Sequence, residues 1–224
     1  MAEIIRIDPD NIDFSLIKEA AIVVKNGGLV AFPTETVYGL GASVFDEEAV
    51  RRVYEVKERS PDKPLAVCVS SLDQFRQIAS SIPEQAEAII RNFLPGPLTV
   101  ILVKRRTVSS AVTASKTNVG IRYPDHKIAL ALIDAAGVPL AATSANVSGH
   151  PSPCSAGEIQ AELSDRIDLI IDGGACEFKA ASTVIDLSSS PARILREGAI
   201  SQEELDSFLV TRGFPPLERT AGSS

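Results

Sequence analysis

The apolar residues of this chain fall into short runs separated by amphipathic stretches, a pattern that predicts strands alternating with helices. Predicted strands cover residues 4–7, 29–32, 65–69, 98–104, 119–122, 140–143, 169–171, 183–186 and 193–196. Predicted helices cover residues 16–24, 46–56, 72–79, 84–93, 128–136 and 156–163, and a last helix begins after Ser201. This order of elements predicts an α/β fold built on one twisted sheet.

Polar residues at the predicted helix starts support these boundaries. Asp46 and Ser201 stand where an N-cap oxygen accepts a backbone hydrogen bond. The short connection 187–192 favours antiparallel pairing of its two strands, so we expect a sheet of mixed parallel and antiparallel strands. We expect one domain over residues 1–209 and a flexible C-terminal tail over residues 210–224.

Composition and charge narrow the function classes. The 224 residues are 45% hydrophobic and 23% charged, which excludes a disordered chain, a collagen-like repeat and a coiled coil. The formal net charge of −7 disfavours a protein whose whole surface grips a nucleic-acid backbone. No apolar run approaches the length of a membrane span and no signal sequence is recognisable, so we expect no membrane association. We expect a cytoplasmic location, and an organelle form that has lost a transit peptide stays open.

The cysteines and histidines argue against a metal centre or a disulfide framework. Cys68, Cys154 and Cys176 are too few and too widely spaced for either. The two histidines, His126 and His150, add too few ligands for a transition-metal site made by protein alone. We therefore expect reduced thiols and no metal held by protein side chains only.

Three polar segments follow predicted strands or helices, and each has two interpretations. The hydroxyls and glycines of residues 33–41 suit a small polar substrate, or they form an ordinary strand-to-helix turn. Lys57, Arg59 and Lys63 suit a phosphate clamp, or they complement the negative end of the preceding helix. The hydroxyls and amide of residues 143–149 suit a phosphate or carboxylate, or they bond to their own backbone.

Two arginines add to this set, because Arg122 and Arg196 each end an apolar strand. Each is either a ligand clamp or a partner in a surface ion pair. The chain has no phosphate-binding P-loop, no dinucleotide-binding glycine motif and no convincing Ser-His-Asp arrangement. The candidate residues therefore fit a reaction that depends on positioning and charge stabilisation rather than on a protein nucleophile.

Taken together, these segments resemble the YrdC family, the threonylcarbamoyl-AMP synthases. The matching pieces are residues 33–40, Lys57-x-Arg59, residues 63–65, 94–99 and 120–124, Ser144-x-Asn146, and residues 182–184 and 195–198. They occur in the family's order and cover roughly residues 14–200. The resemblance implies the single-domain form of the family, a twisted mixed sheet with flanking helices around a concave basic pocket.

The resemblance also implies a reaction. L-threonine, bicarbonate and ATP would give threonylcarbamoyl-AMP and pyrophosphate, which makes the protein a nucleotidyltransferase. A separate transferase would then move the threonylcarbamoyl group to an adenosine beside the tRNA anticodon. ATP is a substrate here, Mg²⁺ would be held mainly by its phosphates, and the protein itself would bind nucleic acid weakly.

The resemblance assigns roles to individual residues. The expected threonine contacts are Thr36, Cys68, Arg122, Ala142 and Ser182. The expected nucleotide contacts are Arg59, Lys63, Asn118, Ser144, Asn146, Ser152 and Arg196. Lys57, Arg59 and Arg196 are the expected catalytic residues, acting on the phosphates. Cys68 departs from part of the family, because several members place a histidine near threonine at this point.

Two other functions stay open at this point. One is carbamoyl transfer of the hydrogenase-maturation kind, whose larger proteins contain a similar domain together with zinc-finger and acylphosphatase segments that this chain lacks. The other is a non-catalytic RNA-binding module, which the net charge of −7 disfavours. The basic run 104–106 is a solvated strand end, or else a tRNA contact if the chain is an RNA-binding module.

Overall fold

One mixed sheet runs through the part of the chain that the computed structural model describes, residues 1–177 and 181–219. Its strands within those residues are β1 (Glu3–Arg6), β2 (Val30–Phe32), β3 (Gly39–Ser43), β4 (Ala66–Cys68), β5 (Leu98–Val103), β6 (Asn118–Arg122), β7 (Leu140–Ser144), β8 (Leu169–Asp172), β9 (Thr183–Asp186), β10 (Arg193–Arg196) and β11 (Glu218–Arg219). The helices are α1 (Phe14–Lys25), α2 (Glu47–Val56), α3 (Leu72–Ile78), α4 (Glu84–Phe93), α5 (Ser110–Thr113), α6 (Lys127–Ala136), α7 (Ala156–Leu163) and α8 (Gln202–Thr211).

The sheet mixes strand directions, as predicted. The strand order is β1-β8-β2-β3-β7-β4-β6-β5-β9-β10-β11. Strand β7 lies antiparallel to both β3 and β4, whereas β4 and β6 are parallel, and so are β5 and β9. Because β3, β7, β4, β6, β5 and β9 are consecutive neighbours, residues far apart in sequence lie side by side on the same face of the sheet.

Helices cover both faces of the sheet and bury a separate core on each. Helices α1 and α6 pack together on one face, where Ile17 and Leu132 are fully buried. The opposite core contains Val53 of α2, Phe75 of α3 and Leu205 of α8. None of the helices in the described part of the chain is long and apolar enough to cross a membrane.

The predicted caps are confirmed. Asp46 accepts a hydrogen bond from the backbone N–H of Ala49 at 3.0 Å, and the Ser201 hydroxyl accepts one from Glu204 at 3.2 Å. Such bonds satisfy backbone donors that a helix leaves without intrahelical partners. The sequence therefore placed the starts of α2 and α8 correctly.

Strand β3 was not predicted, since its residues were assigned to a turn before α2. Its sequence, Gly-Leu-Gly-Ala-Ser, contains no β-branched or aromatic residue, which is why propensity failed to find it. The glycines are needed by packing, because the ring of Phe32 on β2 lies against them. A Cβ atom would lie 3.1 Å from the Phe32 ring at Gly39 and 2.9 Å from it at Gly41.

Part of the predicted tail packs against the domain. Helix α8 continues to Thr211, two residues past the predicted boundary, and β11 pairs with β10. Leu217 is buried, and its carbonyl oxygen accepts a hydrogen bond from Gln202 at 3.0 Å. Residues 220–224 of the predicted tail lie outside the described residues.

Candidate active site

A cavity of about 320 Å³ lies on one face of the sheet, over the neighbouring strands β3, β7, β4, β6, β5 and β9. Its lining is rich in hydroxyl and guanidinium groups. The polar residues of the lining are Thr34, Thr36, Tyr38, Arg59, Cys68, Thr99, Arg122, Thr143, Ser144, Ser152, Ser182 and Arg196. A concave site with converging polar groups is the usual form of a small-molecule site.

The cavity gathers most of the residues that the sequence analysis selected. All five expected threonine contacts line it: Thr36, Cys68, Arg122, Ala142 and Ser182. Four expected nucleotide contacts line it too: Arg59, Ser144, Ser152 and Arg196. Four selected residues do not: Lys57, Lys63, Asn118 and Asn146. The cavity brings the selected groups together, and their individual ligand roles stay predictions.

Strand register explains how the groups converge. Arg122 on β6 pairs with Cys68 on β4 and with Thr99 on β5. Paired residues point to the same face of a sheet, so these three side chains lie side by side. The Thr99 hydroxyl lies 2.9 Å from the Ser182 hydroxyl, which continues the row toward β9.

The Arg122 guanidinium is held by the segment that follows β2. Its Nη2 atom donates to the Thr34 hydroxyl at 3.1 Å and also to the Thr36 hydroxyl. The same atom lies 3.1 Å from Oε1 of Glu35, whose side chain is only 2% exposed. Neither carboxylate oxygen of Glu35 has a hydrogen-bond partner among the described residues, where Arg122 is the ion-pair partner of this deeply buried carboxylate.

The sequence analysis did not assign Thr34, Glu35 or Thr99 to the site. All three lie inside segments quoted for the resemblance, 33–40 and 94–99, so the motifs contained them without showing their roles. Only the strand pairing brings Thr99 beside Arg122, and only the bend after Phe32 turns Glu35 inward. The indication in the sequence that these three residues belong to the site was their position inside the motifs.

Cys68 is a neutral wall of the cavity. Burial raises the pKa of its thiol to about 11, and the nearby Arg122 charge offsets only part of that effect. A thiol with so high a pKa stays protonated near neutral pH and is a poor nucleophile. Cys68 therefore contributes surface to the cavity and not a reactive thiolate.

Arg59 and Arg196 are the other two cations of the cavity, and neither has an ion-pair partner among the described residues. Arg59 donates to the backbone carbonyls of Lys63 at 3.0 Å and Pro64 at 2.9 Å. Arg196 donates to the Ser182 carbonyl at 2.9 Å. Partial burial lowers the pKa of both guanidinium groups, which start high enough to stay charged. The cavity thus holds two positive charges that no carboxylate neutralises.

Lys57 supports the cavity from outside it. Its side chain is almost completely buried, and its ammonium donates to the backbone carbonyls of Ser144 and Asn146. Burial, together with a smaller effect of the Arg59 charge, lowers the pKa of Lys57 to about 8. The Lys57 ammonium thus attaches the end of α2 to the turn after β7. Its expected role at the phosphates stays a prediction.

Asn146 belongs to the same turn and also acts locally. Its side-chain amide donates to the carbonyls of Val147 at 2.8 Å and His150 at 2.9 Å. These bonds fold the turn that carries Ser144 into the cavity. Of the two interpretations given to residues 143–149, the structure thus shows self-bonding for Asn146 and cavity lining for Ser144.

Lys63 and Asn118 are not brought to the cavity. Lys63 is exposed, and its carbonyl oxygen serves as an acceptor for Arg59. Asn118 lies at the opposite end of β6 from Arg122, where its amide donates to the Ser188 hydroxyl at 2.8 Å.

The described residues offer no built site for a metal ion. No group of three or more histidine, cysteine, aspartate or glutamate side chains among them is arranged to hold one. The lining of the cavity contains hydroxyls and cations but no carboxylate. A divalent ion in this cavity would have to depend on oxygen atoms of a bound ligand.

A family model named for Sua5, YciO and YrdC, and described as "Telomere recombination", matches residues 22–198. The chain belongs to the Sua5/YciO/YrdC family. This confirms the resemblance found in the motifs. The mixed α/β sheet with flanking helices is likewise the fold of this family's solved members.

Curated relatives in the Sua5/YciO/YrdC family carry an enzyme name. The chain is 45% identical to the threonylcarbamoyl-AMP synthase of Pyrococcus abyssi over 86% of this chain and 57% of the relative. It is 42% identical to the threonylcarbamoyl-AMP synthase of Bacillus subtilis over 86% of this chain and 56% of that relative. The chain thus spans little more than half the length of these relatives.

A solved structure supports the same comparison. P. abyssi Sua5 complexed with L-threonine superposes with a TM-score of 0.93 and 41% sequence identity, covering 99% of this chain and 64% of that chain. L-threonine is thus a ligand of that protein.

Proposed function

We propose that this chain is the catalytic domain of a threonylcarbamoyl-AMP synthase. It would convert L-threonine, bicarbonate and ATP into threonylcarbamoyl-AMP and pyrophosphate. The observation that carries the proposal is a difference in charge pairing among the three arginines of one cavity. Arg122 is paired with a buried glutamate, whereas Arg59 and Arg196 have no ion-pair partner among the described residues. We therefore assign the region around Arg122 and the region that contains Arg59 and Arg196 to two ends of the cavity with different ligands. The relatives' names and the threonine complex of P. abyssi Sua5 support it.

The Arg122 end suits an amino acid. A guanidinium held by two threonine hydroxyls is oriented to bind an α-carboxylate. Cys68 and Ala142 supply a small apolar surface for the threonine methyl group, and the Ser182 hydroxyl supplies a polar contact. The fit is to a small hydroxylated amino acid rather than to a large or charged one.

The end that contains Arg59 and Arg196 suits the triphosphate of ATP. Both cations lack a carboxylate partner, so their charge is available to phosphate oxygens. Ser144 and Ser152 add hydroxyl donors beside them. Lys57 contributes by holding the backbone of the turn that presents Ser144.

The proposed chemistry needs no protein nucleophile. The neutral amine of threonine attacks the carbon of bicarbonate, and a hydroxyl of bicarbonate leaves with an amine proton as water to give a carbamate. A carbamate oxygen then attacks the α-phosphorus of ATP. The bond to pyrophosphate breaks, and Arg59 and Arg196 stabilise the negative charge on the leaving phosphates. Mg²⁺ would enter with ATP, because the cavity lining offers it no carboxylate. Protonated Cys68 is consistent with a reaction that forms no covalent enzyme intermediate.

The product would be handed to a separate transferase that acts on tRNA. The net charge of −7 favours weak contact between this chain and RNA, so the adenylate should form without tRNA. A cytoplasmic location belongs to the same proposal, since ATP, bicarbonate and tRNA are all available there.

The test is product formation followed by mass spectrometry, with threonine, bicarbonate and ATP each omitted in turn. Threonylcarbamoyl-AMP should appear only when all three are present, and adding tRNA should not be required. Serine should be a poorer substrate, because one lost methyl contact is worth roughly 1 kcal/mol or more. Equal turnover of glycine, or product in bicarbonate-free buffer, would contradict the proposal.

A further inference from the structure

We infer that Glu35 determines the ligand specificity of the Arg122 end of the cavity. Its buried carboxylate cancels the charge of Arg122, so that this end accepts an amino acid without net charge and rejects inorganic anions such as phosphate. The inference rests on the proposed function, because it concerns how one cavity keeps threonine and phosphate groups apart. Glu35 does not line the cavity and acts through Arg122.

The contact between the Glu35 and Arg122 side chains is close and shielded from solvent. Oε1 of Glu35 lies 3.1 Å from Nη2 of Arg122, and the exposed fractions of the two side chains are 2% and 12%. In the described part of the chain neither Glu35 oxygen makes a hydrogen bond, so Arg122 is the group there that stabilises the carboxylate charge. An ion pair shielded from water interacts strongly, and each charge there largely offsets the other.

The groups that surround this pair add no compensating charge. Burial raises the pKa of Cys68 to about 11, which keeps its thiol neutral. Burial lowers the pKa of His126, so its imidazole is neutral near pH 7, although Glu35 and Asp125 oppose that shift. Nδ1 of His126 has no hydrogen-bond partner. The Arg122 end is therefore close to electrically neutral as a whole.

The cations of the cavity that have no ion-pair partner among the described residues provide the contrast. Arg196 donates to the carbonyl and the hydroxyl of Ser182, which are both uncharged, and its pKa is lowered by its partial burial and by the charge of Arg122. The positive charges of Arg122 and Arg196 thus repel each other across the cavity. Without Glu35, three arginines would line one continuous anion site, and phosphate would compete with the amino acid for Arg122.

The experiment measures threonine affinity by calorimetric titration with and without inorganic phosphate. In the unaltered protein, phosphate should displace ATP at concentrations that leave threonine binding unchanged. In Glu35→Gln, which keeps the side-chain shape, phosphate should compete with threonine about tenfold more strongly, because a dianion gains more than a zwitterion when a negative charge is removed. Glu35→Asp keeps the charge and should stay close to the unaltered protein.

Glu197→Gln is the matched control, since it removes one carboxylate from an exposed surface pair with Arg219. It should leave the competition by phosphate unchanged. Two results would overturn the inference: phosphate competition with threonine that is unchanged in Glu35→Gln, or equal displacement of threonine and ATP by phosphate in the unaltered protein. The second needs no variant to fold. Failure of the unaltered protein to bind threonine at all would instead reject the proposed function, and the inference with it.

Discussion

The ammonium of Lys57 donates a hydrogen bond to the backbone carbonyl of Ser144 at 2.5 Å, and so links the end of α2 to the turn after β7. The bond spans 87 positions in sequence and comes from a buried lysine side chain. A second bond to the carbonyl of Asn146 completes the attachment. A lysine selected as a phosphate contact is thus a positioning residue for the turn that presents the Ser144 side chain.

The first prediction concerns Lys57→Met, which keeps the apolar stem and removes the ammonium. Two backbone carbonyls lose their donor, so the free energy of unfolding should fall by about 1–3 kcal/mol. ATP affinity should fall as well, because the turn is no longer held. Chemical denaturation and ATP titration of the same preparation measure both effects.

Lys18→Met is the control for this prediction, since Lys18 is exposed on α1. It should change neither stability nor ATP affinity. Lys57→Met with unchanged stability would show that the two carbonyl contacts contribute little.

The second prediction is a pH dependence. Burial lowers the pKa of Lys57 from 10.5 to about 8, so the folded protein loses this proton at a lower pH than the unfolded chain. Between these values the unfolded state binds more protons, and the contribution of Lys57 to the free energy of unfolding rises with pH. ATP affinity should change in the opposite direction, because a positive charge beside the cavity disappears.

The measurement is ATP titration in the absence of threonine, from about pH 7 to 9. Affinity should fall as the pH passes about 8 in the unaltered protein. Lys57→Met should show a flatter profile over the same range. An identical fall in the variant would assign the titration to another group.

The sequence predicted the parts of the fold that depend on local rules. The caps at Asp46 and Ser201 and the strand and helix periodicities are short-range, and the structure agrees with them. Strand β3 was missed because packing of Phe32 against Gly39 and Gly41 requires residues of low strand propensity. That requirement depends on a neighbouring strand and is not visible in the local sequence.

The candidate site was also predicted only in part from the sequence. The motifs supplied most of the residues that line the cavity, including Arg122 and Arg196. They did not show that the ammonium of Lys57 bonds to backbone carbonyls, or that Glu35 is buried beneath Arg122. A side chain's partner is set by the three-dimensional path of the chain, and these partners lie 87 positions away in both cases.

The third prediction concerns Thr183, whose hydroxyl organises the loop after Arg196. It donates to the carbonyl of Ile200 at 2.5 Å and accepts from the backbone N–H groups of Gly198 at 2.9 Å and Ile200 at 3.1 Å. Thr183→Val keeps the shape and removes all three bonds in a fully buried position. We expect a loss of about 1–3 kcal/mol in stability.

Thr183→Val should also weaken ATP binding, because the loop that it releases begins beside Arg196. Thr183→Ser retains the hydroxyl and should keep most of the ATP affinity while losing some stability through the missing methyl group. ATP titration and thermal unfolding of both variants separate the two effects. Equal ATP binding by the valine and serine variants would show that the loop does not position Arg196.

The last prediction separates the two ends of the cavity. Arg59→Ala should weaken ATP binding by about 2 kcal/mol or more and leave threonine binding nearly unchanged. Arg122 needs a different design, since its removal alone would leave Glu35 as an unpaired buried charge. The double variant Arg122→Ala with Glu35→Gln removes both charges and should lose threonine binding while retaining ATP binding.

Arg106→Ala, on the exposed basic run, is the control for loss of a cation and should bind both ligands like the unaltered protein. Calorimetric titration of each variant with each ligand decides the matter. If Arg59→Ala and the double variant lose both ligands equally, the cavity is one undivided site, and the assignment of separate threonine and ATP ends is wrong.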